Sequence, residues 1–279
     1  AAISVEAKER ACQCCPTAIA FDAKGQLVVA FRDADRIMLA RGQTDNGGFE
    51  AVEQVAEVIS PADRCGHEGP SLAIVGDQLH LTWTDARSGV PRVQYASTNP
   101  ENSRFEIQEL DPTPQSKQGN CRLKAAGGEL HAVWEAEPLA EEFISIGQAV
   151  PADLSPVRSI MYAQLIRPSH KFGTARKVDD NPGVNQTQPA IGVASAGHVF
   201  VAWHENHGQS TSVVVKKLTI KGCVALRMGN TGSCAGLKRG RRGAGRIHGG
   251  ADTRALLSPS VLGFSAAQTA PPRGDPCTT

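Results

Sequence analysis

The apolar positions of this 279-residue chain come in short strand-length runs separated by Gly-containing turns. The first pair is Ala18-Ile19-Ala20-Phe21 and Leu27-Val28-Val29-Ala30-Phe31, joined through Asp22 to Gln26. Gly and Asp suit such a turn, because a tight hairpin needs positive φ at small cost. The pattern returns as SLAIVGDQLHLTWTD, RLKAAGGELHAVWEA and QPAIGVASAGHVFVAWHE. Each hairpin ends near an aromatic residue (Phe31, Trp83, Trp134, Trp203), with Leu27, Leu79, Leu130 or Val199 four positions earlier. A third apolar strand follows each one, at Arg36–Gly42, Arg92–Thr98, Ser159–Leu165 and Ser212–Leu218. In the first three units a fourth strand is predicted around Phe49, Phe105 and Phe172.

The aromatic anchors are spaced by 52, 51 and 69 residues. Four short strands per unit at that spacing predict an all-β chain, a β-propeller of four-stranded antiparallel blades. The blades run over about 12–60, 65–112, 118–182 and 185–220. Polar and apolar positions alternate only loosely in the first two strands, as expected where neighbouring blades cover both faces. No amphipathic helix is evident in residues 1–220. The third unit is longer through an insertion, Ala136–Val157, which carries Pro138, Pro151 and Pro156 and reads as a loop; long loops of this kind are usually functional or disordered. The fourth unit stops after its third strand, and Ile3–Ala7 is available to complete it if the ring closes on four blades.

Net charge is only +1, but it is split along the chain. Residues 1–220 carry 20 Lys and Arg against 26 Asp and Glu, whereas 221–279 carry 9 against 2. The strand pattern ends at Lys221. Beyond it the chain is a basic, Gly- and Arg-rich tail that reads either as disordered or as an out-of-frame translation replacing two further blades. It lacks the interleaved aromatics of a nucleic-acid-binding tail, so no nucleic-acid partner is expected. No apolar run approaches the roughly 18 residues of a membrane span. The start AAISVEA reads as a mature form whose leader has been removed, and the expected location is secreted or periplasmic in a bacterium.

The stretches AFDAKGQLVVAFRD, ARGQTDNGGFE and EGPSLAIVGDQLHLTWTDARSG together resemble the sialidase-like superfamily of six-bladed propellers with BNR or Asp-box repeats. The box Ser-x-Asp-x-Gly-x-Thr-Trp/Phe is matched, one residue short, by Thr44-Asp45-Asn46-Gly47-Gly48-Phe49. Ser97-Thr98-Asn99 with Arg104-Phe105 is a second echo, with Asn for Asp. The resemblance covers 12–220, and the opening Cys12-Gln13-Cys14-Cys15 with Cys65-Gly66-His67 is similar to a bacterial exo-α-sialidase-like subgroup. It implies that Asp45, Gly47 and Phe49 are structural. It also implies an arginine triad, an Asp acid and a Tyr nucleophile paired with a Glu. Tyr95 and Tyr162 are the chain's two tyrosines and share one repeat position on the third strand, where packing explains them better. The family's Arg-Ile-Pro motif on an early first strand is absent.

In a propeller, the loops that precede first strands and those that follow second strands share one face. Cys12, Cys14, Cys15, Cys65, His67, Glu68 and Cys121 precede first strands; Arg32, Asp33, Asp35, Arg36, Asp85, Arg87, Glu135, Glu137, His204, Glu205 and His207 follow second strands. Polar ligand chemistry is therefore expected at that face. Arg32, Asp33, Asp85, Arg87, Glu135, His204 and Glu205 are the candidate ligand contacts, and Asp33 and Asp85 the candidate general acids. Cys12, Cys14, Cys15, Cys65, His67 and Cys121 read either as one or two disulfides or as a Cu or Zn site, since thiolate and imidazole favour those ions. His80, His131 and His198 lie on or near second strands and receive no role. The reading is an exported propeller that binds a small polar or glycan ligand, or a metal ion, at the Cys-bearing face. The alternative is an exo-α-sialidase-like glycoside hydrolase whose nucleophile-bearing blade is missing.

Overall fold

A computed structural model of the chain describes residues 15–42, 48–59, 69–99, 101–112, 116–139, 157–166, 171–178, 181 and 183–219. All regular elements among them are strands, grouped in four antiparallel sheets. Blade 1 is β1 (Ala18–Phe21), β2 (Leu27–Asp33), β3 (Arg36–Gly42) and β4 (Phe49–Glu57). Blade 2 is β5 (Ser71–Val75), β6 (Gln78–Asp85), β7 (Arg92–Thr98) and β8 (Phe105–Glu109). Blade 3 is β9 (Ser116–Ala126), β10 (Glu129–Pro138) and β11 (Ser159–Ile166), with the short β12 (Lys171–Phe172) and β13 (Arg176–Lys177) both pairing β11. Blade 4 is β14 (Asn185–Val193), β15 (Val199–Asn206) and β16 (Thr211–Leu218). The first strands β1, β5, β9 and β14 approach one another in succession, so they form the inner wall of a propeller arc. Asp45, Gly47, Ile3–Ala7 and the tail 221–279 lie outside the described residues.

Local chemistry fixes each hairpin. Between β1 and β2 the Asp22 carboxylate accepts the amides of Lys24 and Gln26 at 2.9 and 2.7 Å, and Gly25 takes φ +78°. Between β9 and β10 both Gly127 and Gly128 have positive φ, at 59° and 81°, which a β-carbon would disfavour.

The core lies in the seams between blades. The anchor Trp83 clusters with Ile37 and Leu39 of blade 1, Trp134 with Val93 and Tyr95 of blade 2, and Trp203 with Ile160 and Tyr162 of blade 3. All three indoles are at most 2% exposed. Among the described residues no blade precedes Phe31, which clusters with Met38 and Ala40 of its own sheet. Cys121 belongs to the seam between blades 2 and 3. Burial pushes its thiol up to about 12, against a smaller opposing effect of its hydrogen bond with Thr82.

Polar groups are built into the same seams. Gln118 and Gln186 occupy equivalent positions on β9 and β14. Their side-chain oxygens accept the amides of Val93 and Ile160 in the preceding blade, at 3.2 and 3.1 Å. Their backbone amides donate to the carbonyls of Pro91 and Arg158 at 2.8 and 3.0 Å. His80 and His131, also equivalent, are buried, and their Nδ1 atoms lie 2.8 and 2.9 Å from the hydroxyls of Tyr95 and Tyr162. Blade 1 places Val28 and Leu39 at these two positions, an apolar solution to the same packing problem.

Two consequences can be measured. Trp134→Ala should cost about 3–5 kcal/mol in urea unfolding, as expected for emptying a buried indole site, whereas Phe200→Ala, at the equivalent of the His80 position on the uncovered side of blade 4, should change stability by about 0.5 kcal/mol or less. The second concerns pH. Burial lowers the His131 pKa, partly offset by Glu129. The unfolded chain therefore binds a proton near pH 6.5 that the folded chain resists, and stability should fall as pH drops below that value, by at most about 1.4 kcal/mol per pH unit. His131→Leu alone strands the Tyr162 hydroxyl, at about 1–3 kcal/mol. His131→Leu with Tyr162→Phe, imitating blade 1, should recover much of that loss and flatten the acid limb in pH-dependent denaturation.

Candidate functional site

The groups expected after the second strands do gather at one end of the blades, but most of them are engaged by the fold. Asp33, Asp85 and Glu205 stand at one repeat position, two residues beyond their aromatic anchors, and are at most 5% exposed. Asp85 accepts the Arg87 amide at 2.9 Å and its Nε at 2.8 Å, with Nη2 at 2.7 Å and the Ile59 amide at 3.4 Å. Arg87 also donates to the Glu57 carbonyl, and the hydrogen bond to Asp85 raises its pKa despite partial burial. This unit ties the end of blade 1 to blade 2. Asp33 pairs with Arg36 at 4.0 Å, and the Arg32 Nε donates to the Ala34 carbonyl at 2.8 Å. Glu205 accepts the Trp203 indole N–H at 3.1 Å and lies 3.6 Å from His207. His204 is half-buried on β15, on the side turned away from blade 3. Arg32, Asp33, Asp85, Arg87 and Glu205 thus serve chain corners and seams in this structure.

Glu135 is different. It lies where the inner strands of blades 3 and 4 meet, and both strands are irregular there. Their ladders shift register between Val133 and Glu135 and between Thr187 and Ala190. Asn120 and Gln188, at equivalent positions in these bulges, hold φ of 49° and 55°. Asn tolerates that region; Gln seldom adopts it, and such strain collects at functional positions. One Glu135 oxygen accepts both the Asn120 side-chain amide and the Gln188 backbone amide, each at 2.7 Å. The Asn120 Oδ1 atom is buried without a hydrogen-bond partner among the described residues.

Arg158, at the entry to β11, completes the group. Its Nη1 is 3.5 Å from Glu135, its Nε donates to Glu137 at 2.9 Å, and Lys117 reaches the other Glu137 oxygen at 3.2 Å. The carboxylates are buried, whereas Arg158 and Lys117 remain 31% and 35% exposed. Two anions and two cations make a locally neutral cluster with donors at its surface. Sequence reasoning found Glu135 and Glu137 but missed Arg158, Asn120 and Lys117. Arg158 had a signal: blades 1 to 3 all carry an arginine at the entry to the third strand, Arg36, Arg92 and Arg158, the last displaced by one residue. Arg92 is buried and binds the carbonyls of Ser116 and Asp111 at 3.0 and 2.7 Å, clamping the link between blades 2 and 3.

For the cysteine group, Cys12, Cys14, Cys65 and His67 lie outside the described residues. Cys15 is partly buried, next to Pro16, and Pro16 abuts Gly69 so closely that a β-carbon at Gly69 would collide with it. The entries of blades 1 and 2 are therefore adjacent. Cys121 packs as a core residue, and burial pushes its thiol up to about 12. Among the described residues no group of three or more His, Cys, Asp or Glu is arranged to hold a metal ion. Tyr95 and Tyr162 are buried on their histidines, and burial pushes the Tyr162 hydroxyl up to about 12, so both behave as packing residues. A cleft of about 820 Å³ lies elsewhere, between the outer strands of blades 2 and 3, lined by Gln108, Asp111, Lys171 and Phe172 among others. No helix of the described residues is long and apolar enough to cross a membrane.

No family model and no curated protein matches the sequence. Solved structures similar in fold include the GH93 α-L-arabinofuranosidase of Fusarium graminearum in complex with arabinobiose, at 8% identity and TM-score 0.44, covering 71% of this chain and 60% of that one. The NanB sialidase of Streptococcus pneumoniae is another, at 8% identity and TM-score 0.45, covering 70% and 29%. A third is the subtype N10 neuraminidase-like protein of A/little yellow-shouldered bat/Guatemala/060/2010, at 7% identity and TM-score 0.42, covering 71% and 57%. The chain spans less than two thirds of each. The likeness is one of fold, and the four-blade arc itself rests on the strand pairing described above.

Proposed function

We propose that this chain is a propeller binding module whose Glu135–Arg158 cluster takes a neutral, polyhydroxylated ligand of carbohydrate type. The observation that carries the reading is Arg158, a partly exposed guanidinium held in orientation by two buried carboxylates. With Nε and Nη1 engaged, its remaining N–H groups are pre-positioned donors, which lowers the ordering cost of binding. Sugar hydroxyls both donate and accept, so they suit a cluster of zero net charge. An anionic sugar fits less well, because Arg158 already faces two carboxylates and the arginine fork has been spent on protein groups.

The test is calorimetric titration of the full chain with neutral arabino- and galacto-oligosaccharides and with sialyllactose. Binding of a neutral oligosaccharide is expected, weakened at least tenfold by Arg158→Ala at a temperature where circular dichroism shows the variant folded. Because the Glu135 and Glu137 carboxylates are buried, that variant should also lose stability, so Arg158→Lys, which keeps a cation beside them but not the guanidinium donors, should recover part of the Tm and not the affinity. Affinity unchanged by the substitution, or no binding at all, would overturn the proposal. Turnover of a fluorogenic sialoside or arabinofuranoside would replace it with the hydrolase reading.

A further inference from the structure

The fourth strand of blade 3 is broken, whereas β4 and β8 are single strands. β12 pairs with Leu165 and Ile166 of β11, β13 pairs with Met161 and Tyr162, and residues 173–175 leave the ladder between them. The break is built in at Gly173. Its N–H donates to the Gln164 carbonyl at 2.9 Å, and a β-carbon there would stand only 3.0 Å from the Ile166 Cδ1 atom. Residues 171–175 form one wall of the cleft of about 820 Å³ between blades 2 and 3, and residues 108–112 form the other. That volume suits a small-molecule site. Both walls are fixed by the seam. The Phe172 ring meets Tyr95 of blade 2 edge-on, with centroids 5.1 Å apart. Across the cleft, the Leu110 N–H donates to the Val93 carbonyl at 2.9 Å, and the Asp111 carbonyl accepts Arg92 and Gln118 at 2.7 and 3.0 Å.

The cleft has an apolar base. Leu110 is buried, and Met161, Phe172 and Ala175 pack against the same core cluster. Its charged groups are not equivalent. Glu109 pairs with Arg92 at 3.3 Å, and Asp111 is buried and engaged. Lys171 is exposed, and among the described residues no carboxylate pairs with it. We infer that this cleft is a binding site for an alkyl carboxylate, with the chain on Leu110, Met161 and Phe172 and the carboxylate on the Lys171 ammonium. An alkyl chain gains by leaving water for such a base. A lysine ammonium is a point charge that accepts a carboxylate in several geometries, so no arginine fork is needed. Walls already held in place keep the ordering cost of binding low. A cationic head group would meet Lys171 as a like charge, and a neutral one would leave that charge unused. No residue of the Glu135–Arg158 cluster lines the cleft, so this site is independent of the carbohydrate reading.

The experiment is calorimetric titration of the full chain with octanoate, 1-octanol and octylammonium, with two variants at exposed positions, Lys171→Gln and Thr174→Trp. One octanoate should bind per chain, at least tenfold more tightly than octylammonium. Lys171→Gln removes the charge alone, so it should weaken octanoate about tenfold while the affinity for 1-octanol and the Tm stay as they were. Thr174→Trp places an indole at the break and should block octanoate and 1-octanol alike, in a chain that circular dichroism shows to be folded. No binding of octanoate would overturn the proposal. Octylammonium bound as tightly as octanoate would also overturn it, because Glu109 and Asp111 would then set the preference. An octanoate affinity unchanged by Lys171→Gln, or unchanged by Thr174→Trp, would place the ligand elsewhere and overturn it too.

Discussion

The arc depends on one repeated contact, the anchor indole of each blade laid against the third strand of the blade before it. Trp83, Trp134 and Trp203 each join a cluster that spans two sheets. A single four-stranded sheet of this size has no core of its own, so folding and association of blades are one event. The polar lining follows from the same constraint. Closing a seam over strands β7 and β11 would strand the amides of Val93 and Ile160, and Gln118 and Gln186 supply the acceptors. At the seams between blades 2 and 3 and between blades 3 and 4, the apolar and the polar parts of this arrangement are present together.

The histidine–tyrosine pairs show how much variation a seam tolerates. Blades 2 and 3 fill equivalent space with His80–Tyr95 and His131–Tyr162, while blade 1 uses Val28 and Leu39. The apolar pair needs no hydrogen bond. The polar pairs satisfy each other and introduce a group, His131, whose neutral form burial favours. These histidines illustrate what the sequence could not disclose. The spacing of the anchors and the Gly turns located the neighbourhoods of fifteen of the sixteen described strands, all but β13, because turn chemistry and strand length are local properties. Which side of a strand is buried is not local here, since neighbouring blades cover both sides. A histidine between two leucines could therefore be read as exposed or packed with equal justice.

The charged residues were legible in position and illegible in use. Their placement after second strands followed from the repeat and put Asp85, Glu135 and Glu205 at one end of the blades. Their partners come from elsewhere in the chain: Arg87 from the same turn, Arg158 from beyond a long insertion, Trp203 from the strand itself. The register shifts on β9 and β14 were also hidden: Gly119 borders the first, but the positive φ falls on Asn120 and Gln188. Glu135 compensates that strain by accepting a donor from each bulge.

That commitment is what the proposed binding reading rests on. Glycoside hydrolysis needs two carboxyl groups on either side of the scissile bond, one to give a proton and one to attack or to activate water. Asp85 meets donors on both of its oxygens, Glu135 accepts two short amide bonds besides Arg158, and Glu137 lies between Arg158 and Lys117. Carboxylates so engaged hold the scaffold. The groups left facing outward at this cluster are cations, Arg158 and Lys117, whose orientation the buried anions fix. Acids that point inward and donors that point outward are the arrangement from which binding of hydroxyl groups is proposed. The same seams that keep the blades together thus fix the carboxylates of this face and, through them, the orientation of Arg158 and Lys117.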